Sequence, residues 1–333
     1  MTGAPGHALV LGATGHIGNA IVRDLLDHGY RVTAATRQQR PEALADLAVE
    51  IVRGDADRPG QIAAWVRGHD LVIDAAAPYP LNVFVAAAPP ERAPLEYARR
   101  RMGTLLDAVS RHDAALGYVS AFTTLPRPDS EGILAAIEAR ARRLVHPYFM
   151  VKATMEEMVL EAARGGLRAA ILNPTACIGP WDRRPRELCV VPLLMTGQVP
   201  AIMARDVNVI DVRDVAAAVR AALERHRFGA PIPLAGHNSR TDALATRVCN
   251  LAGVPAPRLH VSARLAAGAA LWGEAAWAFV GRPSPLPTIA LLLILDGYPM
   301  RPSAEQRALG AMPRPLDETL RDSIAWYRHL DHC

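Results

Sequence analysis

The chain opens on a short apolar run, Ala8-Leu9-Val10-Leu11, and then breaks into glycines at Gly12, Gly15 and Gly18. An apolar run of this length, ended by turn residues, predicts a buried strand. From Ala20 to His28 apolar positions recur at helical spacing, and Gly29 stands where a helix commonly ends. The alternation then repeats. Arg31–Thr36, Val49–Val52, Leu71–Ala76, Leu116–Ser120 and Ala169–Asn173 read as further strands. Helical patterns separate them over Pro41–Ala48, Ile62–Arg67, Pro94–His112 and 148–164, the last stopped by Gly165-Gly166. Strands alternating with helices predict an α/β fold built on a doubly wound parallel sheet. After Pro180 the pattern is less regular and richer in proline. Helix Val212–Arg225 and strand Ala230–Leu234 then predict a return to the sheet.

Composition narrows the function classes. Half of the 333 residues are hydrophobic and 21% are charged, enough for a sizeable core and no disorder. The formal charge is only +4 and aromatics are 5%, with no long basic run, which argues against nucleic-acid binding. Cys177, Cys189, Cys249 and Cys333 have no metal-ligand or disulfide spacing, so no metal site is expected and a reducing cytoplasm suits the chain. No signal peptide is expected before the first strand, since no basic segment precedes its apolar run. Ile289–Leu295 is too short to span a bilayer, and Leu265–Val280 is interrupted by Glu274. Both segments read as core or as walls of an apolar pocket.

Candidate chemistry begins at the glycines. Strand, GxxGxxG and helix in that order predict a dinucleotide site, although the spacing differs from the GxGxxG of typical dehydrogenases. Gly12 allows the tight turn, Gly15 the approach of a pyrophosphate, and Gly18 close helix–strand packing. Thr14, His16 and Ile17 complete this cofactor-binding loop. Residues 1–177, with a return segment at about 206–235, are read as a dinucleotide-binding Rossmann domain. Residues 178–205 and 236–333 are read as a smaller, mainly helical substrate domain. The second strand ends Ala34-Ala35-Thr36-Arg37, without the acid that holds ribose hydroxyls in NAD sites. Arg37 can instead grip a 2′-phosphate, so NADP(H) is expected over NAD(H).

The second candidate is Lys152, the only lysine in a chain that otherwise uses arginine for every cation. It follows Tyr148 by four residues, which on a helix puts phenol and ammonium on one face.

Together these segments resemble the extended short-chain dehydrogenase/reductase superfamily over nearly the whole chain. The resemblance is carried by Gly12–Gly18, Gly54-Asp55, Asp74-Ala75-Ala76-Ala77, Gly103-Thr104, Tyr148xxxLys152, Asn173-Pro174-Thr175 and Gly179-Pro180. The chain is most similar to the dihydroflavonol-reductase-like branch, and also to hopanoid-associated sugar epimerases. The resemblance implies that Tyr148 is the acid/base for a carbonyl oxygen and that Lys152 lowers the phenol's pKa and holds the nicotinamide ribose. It puts Asp55 and Ala56 at the adenine, and Ala75, Ala76 and Ala77 along the cofactor's inner face. Asn173, Pro174 and Thr175 are likewise expected to contact the cofactor. A homodimer through the helices at 94–112 and 148–164 is implied in the same way.

The chain departs from the family after the fifth strand. Ala121 stands where a hydroxyl is usual, in Val119-Ser120-Ala121-Phe122-Thr123-Thr124. Ser120 is the catalytic hydroxyl expected here, with Thr123 and Thr124 as alternatives. Arg100 stands where asparagine is common. Arg183 and Arg184 could meet an anionic group or lie in solvent.

The expected activity is hydride transfer between NADP(H) and a ketone or secondary alcohol of an apolar or aromatic small molecule. Leu265–Val280 and Pro287–Tyr298, with Trp272 and Trp277, are expected to close over its cleft. The alternatives are a sugar or nucleotide-sugar epimerase/dehydratase that recycles its cofactor, and a non-catalytic NADP-binding sensor.

Overall fold

The structure, a computed structural model, describes residues 6–56, 58, 60–76, 94–127, 147–184, 189–279 and 288–330. Ala77 and His146 lie outside them. The first half alternates strictly. Strands β1 (His7–Leu11), β2 (Arg31–Thr36), β3 (Glu50–Arg53), β4 (Leu71–Asp74), β5 (Ala115–Val119) and β6 (Ala169–Pro174) alternate with helices α1 (His16–Asp27), α2 (Gln61–Val66), α3 (Pro94–Arg111) and α4 (Pro147–Arg164). The helix expected over Pro41–Ala48 is a single 3-10 turn at Glu42–Leu44. Pro41 precedes it, and the apolar residues there suffice for only one buried turn, Ala43 and Leu44.

The second half adds β7 (Ala176–Ile178), α5 (Val190–Met195), β8 (Ala201–Ile202), β9 (Asp206–Asp211), α6 (Val212–Glu224), β10 (Pro231–Leu234), β11 (His237–Arg240), α7 (Thr241–Ala252) and β12 (Leu259–His260). Helices α8 (Ala263–Phe279), α9 (Thr288–Leu295), α10 (Ala304–Ala308) and α11 (Leu316–His329) complete it. Asp211 caps α6 by accepting from the Arg213 N–H, the ordinary N-cap role of a short carboxylate.

The main sheet has seven parallel strands in the order β10-β6-β5-β4-β1-β2-β3. Buried on both faces, its strands read as near-continuous apolar runs. One face carries α1 and α6 through Ile21, Leu25, Val215 and Val219. The other carries α2, α3 and α4 through Ile62, Met102, Leu105, Val151 and Met155. A third core joins α5, α7 and α11 around Leu194, Val248 and Leu320.

The strand order reverses between β1 and β4, which opens a crevice at their carboxyl ends. The glycine turn that follows β1 and the Asp74-Ala75-Ala76 segment at the end of β4 lie on that edge.

Candidate active site

The glycine turn is built by steric necessity. Gly12 has φ +79°, and a Cβ there would stand 2.9 Å from both the Ala75 carbonyl carbon and the Ala76 Cα. Gly18 is more constrained, since its Cβ would lie 2.1 Å from the Gly12 carbonyl oxygen. Any side chain at either position would drive β1, α1 and the β4 loop apart. Gly15 is the N-cap of α1, no side chain caps that helix, and its first turn holds no acid. Thr14, Gly15, His16 and Ile17 therefore frame helix N–H groups and the positive dipole end, the natural seat of a pyrophosphate. The cradle fits a dinucleotide.

His16 serves as a latch. Its side chain is buried, Nε2 donates to the Pro180 carbonyl at 3.1 Å, and Nδ1 lies 3.6 Å from the Asp182 carboxylate. Desolvation lowers its pKa, outweighing the opposite pull of Asp182. The side chain thus ties the loop after β7 to the glycine turn.

Two clefts lie at the carboxyl ends of the strands. One of about 320 Å³ is lined by Arg37, Gln39, Arg53, Gly54, Asp55 and Arg58. Ala56 beside it packs against the α2 side of the core. The other, of about 460 Å³, brings Thr14, Gly15 and His16 together with Arg40, Glu42, Arg183 and Arg184. Arg183 pairs with Glu42 at 3.0 Å, and Arg184 pairs with Asp182 at 2.6 Å. The two arginines thus reach the cofactor turn. Of the arginines in the first cleft, sequence reasoning singled out Arg37 alone; Arg53 and Arg58 are legible only once β2 and β3 are seen to pair.

Tyr148 and Lys152 both lie on the buried face of α4, 2% and 4% exposed. Tyr148 packs with Phe149 and with Ile289 of α9. Lys152 donates from Nζ to the Val119 carbonyl at 3.1 Å, at the end of β5. Burial pushes its ammonium down to about 8, against the upward pull of the Asp74 and Glu156 carboxylates.

One turn beyond Lys152, Glu156 gathers the neighbouring polar groups. Its carboxylate accepts from Ser120 Oγ, from Thr124 Oγ1 at 2.7 Å and from Asn173 Nδ2 at 2.6 Å. The Ser120 hydroxyl is thereby directed at Glu156. Thr123 is buried, and its Oγ1 has no hydrogen-bond partner among the described residues. Glu156 escaped sequence reasoning, although it continues the four-residue spacing from Tyr148 through Lys152.

Asp74, at the end of β4, forms a buried pair with Arg101 of α3 through two hydrogen bonds of 2.7 and 2.8 Å. Burial favours the neutral acid, but the guanidinium prevails and holds the carboxyl below its usual range. Asp74 also accepts from the Ala76 N–H at 3.1 Å, which shapes the Ala75-Ala76 loop against Gly12. Pro174 ends β6, and Thr175 donates to Asn208 at 2.8 Å. The structure corrects one expectation. Trp272, expected to close over the cleft, is 81% exposed on α8.

Comparison with known proteins agrees with this fold. Over 96% of its length the chain is 27% identical to a Synechocystis protein named for dihydroflavonol 4-reductase, covering 94% of that protein. It is 29% identical to sterol demethylase protein B of Methylococcus capsulatus, over 96% of this chain and 98% of that one. A nucleoside-diphosphate-sugar epimerase from Pseudomonas aeruginosa superposes with a TM-score of 0.69 at 22% identity, over 98% of each chain, a likeness of fold. Residues 8–233, from the first strand through the glycine turn and the Tyr148–Lys152 helix to the last strand of the sheet, match a single family profile. The chain belongs to the NAD dependent epimerase/dehydratase family.

Proposed function

We propose that this protein is an NADP(H)-dependent oxidoreductase acting on a ketone or secondary alcohol of an apolar small molecule. The observation that carries this reading is the environment of Tyr148. Its phenol is buried against Phe149 and Ile289, with Leu292 and Leu293 beside them, while the charge of Lys152 lies one helical turn along α4. Apolar walls around one proton-carrying group suit an apolar substrate better than a bare sugar. The name of the Methylococcus relative, sterol demethylase protein B, points to the same substrate class.

The bound cofactor supplies or accepts a hydride. Tyr148 holds the proton at Oη and gives it to the carbonyl oxygen in reduction, or takes it back in oxidation. Lys152 brings its positive charge to that exchange and is positioned by the Val119 carbonyl. Thr123, whose hydroxyl has no partner among the described residues, is freer than Ser120 to bond the substrate oxygen, since Ser120 donates to Glu156. Arg37, Arg53 and Arg58 around one cleft support a 2′-phosphate, because guanidinium matches phosphate oxygens in fork geometry. A homodimer through α3 and α4 belongs to the same reading.

The test follows NADPH absorbance with a panel of apolar and aromatic ketones, alongside Tyr148→Phe. Consumption by the natural chain, abolished in the variant with NADPH binding retained, is the expected result. Turnover that persists in Tyr148→Phe would overturn the mechanism. Tight NADPH binding without consumption would favour an epimerase, to be tried with sugar nucleotides.

A further inference from the structure

Helix α8 is built inside out. Its inward face uses alanines, with Ala263, Ala266 and Ala270 packed on Met203 and Leu291. Three of its large apolar residues point outward: Leu265 is 68% exposed, Trp272 81% and Phe279 92%. Ala269 and Ala276 are exposed between them. A helix at a water-facing surface has the reverse pattern. The three large residues are spaced by seven, which drifts only about 20° per heptad, so they form one straight stripe about 21 Å long. Exposed apolar patches of this kind mark an interaction surface.

Charge selects the occupant. The segment 258–282 contains three arginines and one glutamate. Arg258 and Arg264 are exposed at the N-terminal end of the helix, beside the exposed Leu259, and Arg282 follows Phe279 by three residues in sequence. Two copies of so cationic a segment repel each other, whereas an anionic lipid surface attracts it. An apolar stripe with outward tryptophan and phenylalanine and basic flanks is the make-up of a helix that lies in the membrane interface. Among the described residues no helix is long and apolar enough to cross a membrane, so the contact is a surface one.

We propose that the outer face of α8 docks this protein on an anionic lipid bilayer, with Leu265, Trp272 and Phe279 inserted among the acyl chains. The docking also has a consequence for the reaction. The inner face of α8 packs through Ala270 on Leu291 of α9, and Ile289 of α9 packs on Tyr148. Helix α9 thus touches the membrane-facing helix through Leu291 and the phenol through Ile289, which sets it beside the path of a membrane-dissolved substrate. This second statement rests on the apolar-substrate reading above; the docking does not.

The test is flotation of the full chain with NADPH on vesicles of phosphatidylcholine with about 30% phosphatidylglycerol. The natural chain is expected to float, less so at high salt. The double variant Trp272→Glu/Phe279→Glu should float at least tenfold less while keeping its NADPH affinity and its turnover of a water-soluble ketone. Should that variant fail to fold, the milder Phe279→Ser carries the same test. A natural chain that stays with the soluble fraction overturns the proposal. So does a solution dimer that the same variant dissociates, without vesicle binding, since a second copy then covers the stripe. Turnover of soluble ketones is measured without vesicles, so a failed chemistry and a failed docking are separate results.

Discussion

Lys152 donates from its buried ammonium to the carbonyl of Val119 at 3.1 Å, which fixes the chain's only lysine between the end of β5 and the helix that carries Tyr148. Burial brings its pKa down to about 8, whereas an unfolded lysine titrates near ~10.4. Between those values the unfolded chain binds the extra proton, so this group's contribution to stability rises as pH climbs through that window. Activity should move the opposite way. Turnover that needs the ammonium falls as pH passes about 8, while the denaturation midpoint is not lowered by this group. Lys152→Met should be inactive at every pH. A rate profile flat to pH ~10 would show that the charge is not used.

Glu156 makes a prediction about stability that separates it from a chance polar contact. Its carboxylate is the shared acceptor of Ser120, Thr124 and Asn173. Glu156→Ala leaves those donors, Ser120 and Asn173 among them buried, without it and should cost about 3 kcal/mol in urea denaturation. Glu156→Gln keeps one acceptor oxygen and should cost about 1 kcal/mol. Equal losses in the two variants would mean that packing, and not hydrogen bonding, holds this corner.

The buried pair Asp74–Arg101 gives a sharper asymmetry. Arg101→Met strands a buried carboxylate and should cost about 3–5 kcal/mol. Replacing both residues by leucine removes the stranded charge and should recover most of that loss. Asp74 also holds the Ala76 N–H, so the double variant should still bind NADPH more weakly than the natural chain. Unchanged NADPH affinity there would detach Asp74 from the shape of the cofactor loop.

These residues mark where sequence reasoning stopped. The parallel sheet was legible because both-face burial writes each strand as an apolar run, as at Ala8–Leu11 and Ala169–Leu172. Gly12 and Gly18 were legible because backbone geometry admits little else there. Asp74 and Arg101 were not, since 27 positions separate them and only the packing of α3 on the sheet brings them together. Glu156 shares a helix face with Lys152, yet its partners come from the loop after β5 and from β6. The hydropathy of α8 was plain, but which way its tryptophans face depends on α9 and on Met203. Alanine and tryptophan both count as apolar, so pattern alone did not separate the inward stripe from the outward one.

Cofactor choice is the last property that can be tested residue by residue. Arg37, Arg53 and Arg58 line one cleft with Asp55, and the end of β2 offers no carboxylate to ribose hydroxyls. A 2′-phosphate placed there meets guanidinium groups from two neighbouring strand ends and from the loop that follows β3. Removing one such charge-assisted contact should weaken NADPH by about tenfold, the equivalent of ~1.4 kcal/mol. Arg37→Ala and Arg53→Ala should each show that loss by titration calorimetry, with NADH affinity unchanged within about twofold. The discrimination lies in the comparison. An equal loss for both cofactors would move these arginines to the adenine or the pyrophosphate, which NADH and NADPH share. No loss for either would leave the 2′-phosphate to Arg40 in the adjoining cleft, where Thr14 and Gly15 also face it.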